Sequence, residues 1–312
     1  MQYSNICGYH ISKLTLGTVA LGLDYGISNK EGKPNHKDGI EVLSAAIEGG
    51  INTLDTARSY GDAERLIGDF LMQKKEPIIN IVTKFKISPD NIASEQKFKN
   101  EVYQSIRNSL KQLHLEQVPI CLFHADRQLP LKRVAKILPG LLENLKMDGL
   151  IDIAGISVDH PDEADFVLQS SVIEAVQIPL NIFDLRLIKN GMIDRLKDRG
   201  KIIFARSIFL QGLFFMSPDD LKGNLIKAKR YIEQLHKLAK QADMTVAQLA
   251  FSFVRDTEGI TSIVFGAVNA VQVYQNVQLL QVKTLSNELR AQVNSYFADV
   301  PEEIITPGIW TL

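Results

Sequence analysis

Cysteine is scarce in this chain of 312 residues: Cys7 and Cys121 are the only two, in differently patterned segments and without CxxC spacing. A disulfide framework and cysteine-based metal or redox chemistry are therefore not expected, and a reducing compartment is. Charge of one sign is lacking too, since 35 Lys and Arg face 36 Asp and Glu for a formal net charge of −1. Without a bulk basic field, neither nucleic acid nor an anionic membrane surface is expected as a partner. The opening segment, MQYSNICGYHISKL, shows no basic flank, continuous apolar run or small-residue cleavage site, so a cytoplasmic protein is expected. One long uncharged stretch, 260–282, carries Asn269, Gln272, Gln275, Asn276, Gln278 and Gln281, all costly in hydrocarbon, and reads as a buried strand followed by a half-polar helix.

Several motifs are missing as well. There is no GxGxxG between a strand and a helix and no GxxxxGK[ST] cradle for a nucleoside triphosphate. The six His residues show no HExxH or paired metal spacing, so no metal site is expected. The basic stretch 222–230 is interrupted by apolar residues at helical spacing and reads as a solvated helix face. No Pro/Gly/Ser-rich linker, charge run or low-complexity segment divides the chain, which predicts a single domain over 1–312.

What is present is a core-forming composition, 45% hydrophobic and 23% charged, arranged in a repeating order. Eight runs rich in Ile, Val, Leu and Phe occur at 13–19, 51–57, 79–85, 119–125, 152–158, 175–181, 201–207 and 262–268. Near-continuous apolar runs are the pattern of strands buried on both faces in a parallel sheet. Between them the periodicity predicts helices over 38–50, 63–73, 95–114, 131–148, 162–169, 187–199 and 221–241, several stopped by Gly just before the next strand. Eight strand-loop-helix units predict an α/β fold, a parallel (β/α)8 TIM barrel, with one or two extra helices at 245–256 and 286–297.

In such a barrel the reactive groups sit where strands end and loops begin. The second run ends in Asp55-Thr56-Ala57-Arg58-Ser59-Tyr60-Gly61, the third in Lys84 and the fourth in His124. A Tyr–Lys–Asp–His cluster has a definite use. A phenol can exchange a proton with a carbonyl or alcohol oxygen if a nearby ammonium stabilises its anion, a carboxylate orients that ammonium, and an imidazole holds the substrate oxygen. Taken singly, each also fits a bland role as helix cap, surface lysine or half-buried histidine.

These segments resemble the aldo-keto reductase superfamily from end to end. LDTARSYGDAERLIG (54–68) is similar to its second-strand motif and is followed by TKF with Lys84, a His-ending fourth strand, GISV (155–158), KIIFARSIFLQGL (201–213) and VFGAVNAVQVYQN (264–276). The resemblance implies an NAD(P)-dependent oxidoreductase that interconverts carbonyl and alcohol without a metal, binding the cofactor in extended form at the barrel mouth. It implies Tyr60 as acid/base, Lys84 and Asp55 as tuners of its ionisation, and His124 as orienter of the substrate carbonyl. It implies cofactor contacts from Thr18, from Ser157 and Gln177 on the carboxamide, and from Ser207, Phe209, Gln211 and Gly212 over the pyrophosphate. The usual Asn partner of the carboxamide is replaced by Val158, and Arg206 stands where many members stack an aromatic ring. Toward the adenosine end the matching residues are Gly266, Ala267, Val268, Asn269, Gln272, Gln275 and Asn276. The Lys or Arg that strict NADP users place near Gly266, Ala267 and Gln272 is absent, leaving backbone N–H groups at Val268 and Asn269 to hold a phosphate. NADP or NAD is therefore expected, with weaker NADP selectivity than the family norm.

The segments 18–35 and 179–215 resemble most closely bacterial members associated with sugar metabolism or surface polysaccharide biosynthesis. The expected partner is a small-molecule carbonyl substrate, either a small aldehyde or aldose or a nucleotide-linked sugar, in a pocket near Tyr25, Phe85, Ala125 and Asp126. The alternative is a cofactor-binding sensor of the same fold that turns over little or not at all. Intact Tyr60, Lys84, Asp55 and His124 favour the enzyme; Val158 favours the sensor.

Overall fold

Each of the eight apolar runs holds a strand in the computed structural model, which describes residues 1–73, 78–125 and 128–311. In chain order the elements are β1 (Tyr3–Ile6), β2 (Tyr9–Ser12), β3 (Leu14–Gly17), α1 (Val19–Gly22), α2 (His36–Glu48), β4 (Thr53–Asp55), α3 (Ala63–Gln73), β5 (Asn80–Phe85), α4 (Glu95–Leu113) and β6 (Val118–His124). They continue as α5 (Leu131–Val134), α6 (Leu138–Met147), β7 (Ile151–Ser157), α7 (Ala164–Gln169), β8 (Ala175–Pro179), α8 (Arg186–Lys189), α9 (Met192–Asp198) and β9 (Ile202–Arg206). The chain then forms α10 (Lys229–Gln241), α11 (Val246–Arg255), β10 (Ser262–Gly266), α12 (Ala270–Gln278), α13 (Asn287–Tyr296) and α14 (Glu302–Ile305). Strands β3 to β10 pair in parallel with their sequence neighbours, and β10 closes on β3, giving the (β/α)8 barrel. The seam is pinned inside the sheet, where the Thr15 and Ser262 hydroxyls share a hydrogen bond of 2.7 Å and Ser262 also donates to the Ser12 carbonyl.

Side chains alternate across each strand. Val82, Ile120, Leu122, Ile153, Ala175, Ile202, Phe204 and Val264 form the barrel interior with Ile11, while Ile81, Cys121, Phe123, Ala154, Ile156, Ile203 and Ala205 join the larger core shared with the helices. Continuing the inward parity by one step past the apolar layer reaches Lys84, His124, Ser157, Gln177 and Arg206. The outward parity gives Phe85, Ala125 and Val158.

The structure departs from the sequence reading at a few joints. The predicted helix over 131–148 is two pieces, α5 and α6, because Pro139 in the first turn of α6 has no N–H to continue an earlier helix. The predicted helix over 187–199 is likewise split, between α8 and α9, at Gly191 with φ 66°. The predicted helix over 221–241 starts as a 3-10 turn over Gly223–Ala228 and becomes α-helical at Lys229. The β1–β2 hairpin has no counterpart in the sequence reading. Its two-residue turn, Cys7 and Gly8 at φ 50° and 80°, matches the right-handed twist of the flanking strands. The hairpin closes the end of the barrel opposite the site. No helix among the described residues is long and apolar enough to cross a membrane.

Candidate active site

Three strand ends deliver Asp55, Tyr60, Lys84 and His124, and two more bring Ser157 and Gln177. Asp55 ends β4, and the chain then turns through 56–62, fixed by hydrogen bonds from the Thr56 N–H to the Val82 carbonyl and from the Arg58 N–H to the Lys84 carbonyl. Arg58 is tied to buried Glu64 at 3.1 Å, and Glu64 also accepts from the Thr83 hydroxyl. This turn presents Tyr60. Its backbone lies against α1 so closely that a Cβ on Gly22 would stand 1.9 Å from the Tyr60 carbonyl oxygen, and one on Gly61 2.3 Å from the Gly22 oxygen.

Lys84 is completely buried and donates to Asp55 Oδ1 at 2.7 Å and to the Thr56 carbonyl at 2.8 Å. Its ammonium lies 5.0 Å from the Tyr60 ring centroid, and the Tyr60 and His124 rings meet edge to face with centroids 6.4 Å apart. Gln177 donates to Asp55 Oδ1 at 2.7 Å and accepts from the Ser157 hydroxyl at 3.4 Å.

Burial dominates the electrostatics. It holds the Tyr60 phenol well above its ordinary value, with Asp55 raising it further and Arg206 pulling it down. The Lys84 ammonium faces Asp55, so the pair presents little net charge, and desolvation of the phenolate outweighs the cations nearby. Desolvation also lowers the Lys84 ammonium, against the pull of Asp55. The His124 imidazole is pushed down to about 2, by burial first and then by Lys84, Lys86 and Arg206. Its Nδ1 has no hydrogen-bond partner among the described residues, so the neutral ring is cheapest with Nδ1 unprotonated and the N–H on Nε2, because a buried unpaired N–H costs more than an unpaired lone pair.

A cavity of about 920 Å³ starts at Asp55, Tyr60, His124 and Gln177 and runs to α12. Tyr25, Arg206, Ser207, Phe209, Gln211, Gly212, Gly266, Ala267, Val268, Gln272, Gln275 and Asn276 all line it. Over its middle lies a loop with four residues in the left-handed region, Ser207, Leu210, Gln211 and Gly212, which is strained for the three that carry side chains. It is held by the Ile27 N–H on the Gln211 carbonyl at 3.1 Å, and a Cβ on Gly212 would lie 1.8 Å from Ser28 Oγ. At the far end, Asn276 Oδ1 is buried and partnerless among the described residues. The donor set suits an extended ligand with polar groups at both ends and an anionic or polar middle under a backbone loop. A larger groove of about 1020 Å³, lined by Gln241, Lys283 and Glu288 on the outside of the barrel, contains none of these groups; chemistry, not size, selects the site.

Other residues singled out from the sequence lie elsewhere. Phe85 is fully buried against Phe123 in the outer core, with ring centroids 5.8 Å apart, and Ala125 is buried beside it; both belong to the outward parity and neither lines the cavity. Thr18 is buried and bonded through its N–H and hydroxyl to the Asp55 carbonyl, so it holds Asp55 rather than facing the cavity. Ser157 sits behind Gln177. Asp126 lies outside the described residues. Arg206 lines the cavity with its guanidinium held at the edges by the Val158 carbonyl at 3.0 Å, the Ser207 hydroxyl and the Asp159 carboxylate. The Val268 N–H, one of the two expected phosphate donors, is given to Gln272 Oε1 at 3.0 Å, and Asn269 faces a neighbouring pocket.

Asp159 was missed by the sequence reading, although an acidic residue directly after the fifth apolar run, 152–158, is a visible signal. So was a second cavity of about 650 Å³ that shares Tyr25, Asp159, Arg206, Ser207 and Gln211 with the first and is closed by residues 305–308. Nothing local in those C-terminal residues reveals that placement.

The sequence profile of the aldo/keto reductase family matches residues 13–296. Among curated proteins the chain is similar to L-glyceraldehyde 3-phosphate reductase of Escherichia coli O157:H7, at 27% identity with 96% of this chain and 93% of that protein covered. It is similar to the NADH-specific methylglyoxal reductase of Escherichia coli (strain K12) at 26% identity, covering 87% and 90%. Among solved structures, the holo form of the aldo-keto reductase AKR11C1 from Bacillus halodurans superposes with a TM-score of 0.75 over 98% of this chain and 99% of that one, at 22% identity.

Proposed function

Because this chain belongs to the aldo/keto reductase family, we propose that it is an NAD(P)-dependent oxidoreductase reducing a small aldehyde, aldose or sugar ketone, with Tyr60 as the proton donor. The observation that carries the reading is the meeting of Tyr60, Lys84, Asp55 and His124 at one end of a cavity of about 920 Å³ that runs to α12. Gln177 and the Ser207–Gly212 loop would hold the nicotinamide and pyrophosphate parts, and Gln275 and Asn276 the adenine. The bound dinucleotide supplies the hydride that the carbonyl carbon accepts.

The chain's own residues do the rest. A phenol held above its ordinary value is protonated at neutral pH, so Tyr60 acts as the acid in the reductive direction. His124, neutral and with its N–H on Nε2, donates to the carbonyl oxygen and fixes its angle to Tyr60. As the proton leaves, the phenolate forms beside the Lys84 ammonium, 5.0 Å from the ring centroid, which Asp55 and the Thr56 carbonyl hold in place. The second cavity meets the first at Arg206 and Asp159 and would admit the carbonyl compound.

The test is a panel of aldehydes, aldoses, glyceraldehyde 3-phosphate and methylglyoxal offered with NADH and NADPH. Tyr60→Phe is expected to lower kcat by about 10²–10⁴-fold with the dinucleotide Kd unchanged, because only proton donation is removed. Retained kcat overturns the assignment of Tyr60. Dinucleotide binding by the unaltered protein without reduction of any carbonyl returns the reading to a sensor.

A further inference from the structure

At Val268 the long cavity meets a second, polar pocket of about 410 Å³, lined by Glu31, Asp38 and Glu41 together with Asn269 and Ala270 at the start of α12. Its wall is acidic. Lys33 also lines it, but its ammonium is 2.5 Å from Asp62, so the cation is already neutralised. Asn269 fixes the arrangement. Its Oδ1 accepts the Gln272 N–H as the cap of α12, so its Nδ2 must point the other way, and there it meets the Glu31 carboxylate at 3.1 and 3.4 Å. Glu31 is itself positioned by Asn29, whose side-chain oxygen accepts the Glu31 and Gly32 N–H groups.

A helix N-terminus attracts one anion through its partial positive charge and exposed N–H groups. Here the chain supplies that anion itself, and the Val268 N–H is spent on Gln272. We propose that Glu31 sets cofactor choice in favour of NAD(H): its carboxylate accepts a hydrogen bond from an unmodified ribose hydroxyl and repels the dianionic 2′-phosphate of NADP(H). The inference rests on the reading that the adenosine end of the dinucleotide lies beside Gln275 and Asn276, where the partnerless Asn276 Oδ1 awaits a donor. Like charges brought together at a half-enclosed surface disfavour the complex more than in bulk water, and salt weakens the effect.

Calorimetric titration of NADH and NADPH into the intact protein tests it, alongside Glu31→Gln and Glu31→Lys. The unaltered protein is expected to bind NADH at least about tenfold more tightly. Glu31→Gln should narrow the ratio severalfold while keeping NADH binding, which also shows that the variant is folded. Glu31→Lys should move the ratio toward NADPH, with NADPH binding that weakens as salt rises. Equal or tighter binding of NADPH by the unaltered protein, or a ratio unmoved in Glu31→Lys, overturns the role of Glu31. Binding of neither dinucleotide by the unaltered protein removes instead the reading of the cavity, and the inference falls with it.

Discussion

At one end of the cavity two half-buried side chains, Tyr60 and His124, are both kept neutral, one protonated and one not. The cause is shared: desolvation disfavours whichever form is charged, phenolate or imidazolium. For His124 this has a measurable consequence. An unfolded histidine titrates near ≈ 6.5, whereas the folded one is pushed down to about 2, so between those values the unfolded chain binds a proton that the native chain does not. Stability contributed by this site is therefore full above about pH 6.5 and declines as pH falls toward 2. Between pH 7.5 and pH 5 the unaltered protein should lose about 1–2 kcal/mol more than His124→Gln in urea unfolding, on 1.36 kcal/mol per pH unit. Parallel pH profiles for the two proteins would show that His124 does not hold the low value.

The loop that carries Tyr60 depends on a close passage between elements. Gly22 ends α1 against the Tyr60 carbonyl, and a methyl group there has no room: its nearest neighbours, at 1.9 and 2.9 Å, are backbone atoms and Ala63 Cβ. Gly22→Ala should destabilise by about 1–3 kcal/mol, as overpacking does, and should lower kcat because Tyr60 is displaced. Gly140 in α6 is the contrast, since a Cβ there meets nothing within 4 Å. Gly140→Ala should stabilise by about 0.5–1 kcal/mol and leave kcat alone. Thermal unfolding and steady-state rates on the two variants decide it; similar effects from both would mean that the α1–Tyr60 contact is slack. Element boundaries were legible where one residue type enforced them. The Asn269, Ser286 and Thr245 caps begin α12, α13 and α11, whereas the break between α5 and α6 turns on Pro139 inside a stretch that otherwise keeps a helical apolar period.

For the whole molecule, the barrel has a functional end and a structural end. At the structural end the β1–β2 hairpin inserts Ile11 into the interior layer, and Tyr9 donates to Asp152 at 2.6 Å. Asn52 and Asn80 both donate to the His10 carbonyl, locking the hairpin to β4 and β5. Ile11→Ala removes a fully buried side chain from the plug and should cost about 2–5 kcal/mol, with dinucleotide Kd and kcat unchanged because the site is at the other end. A loss under about 1 kcal/mol, or a matching change in Kd, would show that the two ends are not independent.

The order of strands and helices, the parallel barrel and the residues at the strand ends were determined by the sequence itself, because apolar runs with helical segments between them leave few other ways to bury both. Asp55, Tyr60, Lys84 and His124 could be picked out as chemistry-bearing groups at matching ends. What the sequence did not distinguish was inside from outside. Both faces of every barrel strand are buried, so no alternation of polar and apolar residues marks which side faces the cavity, and Phe85 and Ala125 looked as eligible as Lys84 and His124. Tertiary structure decided that, one residue at a time, through strand parity. It also decided what no local pattern records: that burial governs the phenol, that Arg206 is tied to Asp159, and that Glu31 meets Asn269 across 238 positions of chain. Those contacts depend on where the closed sheet and its loops bring distant residues together, which is a property of the folded chain alone.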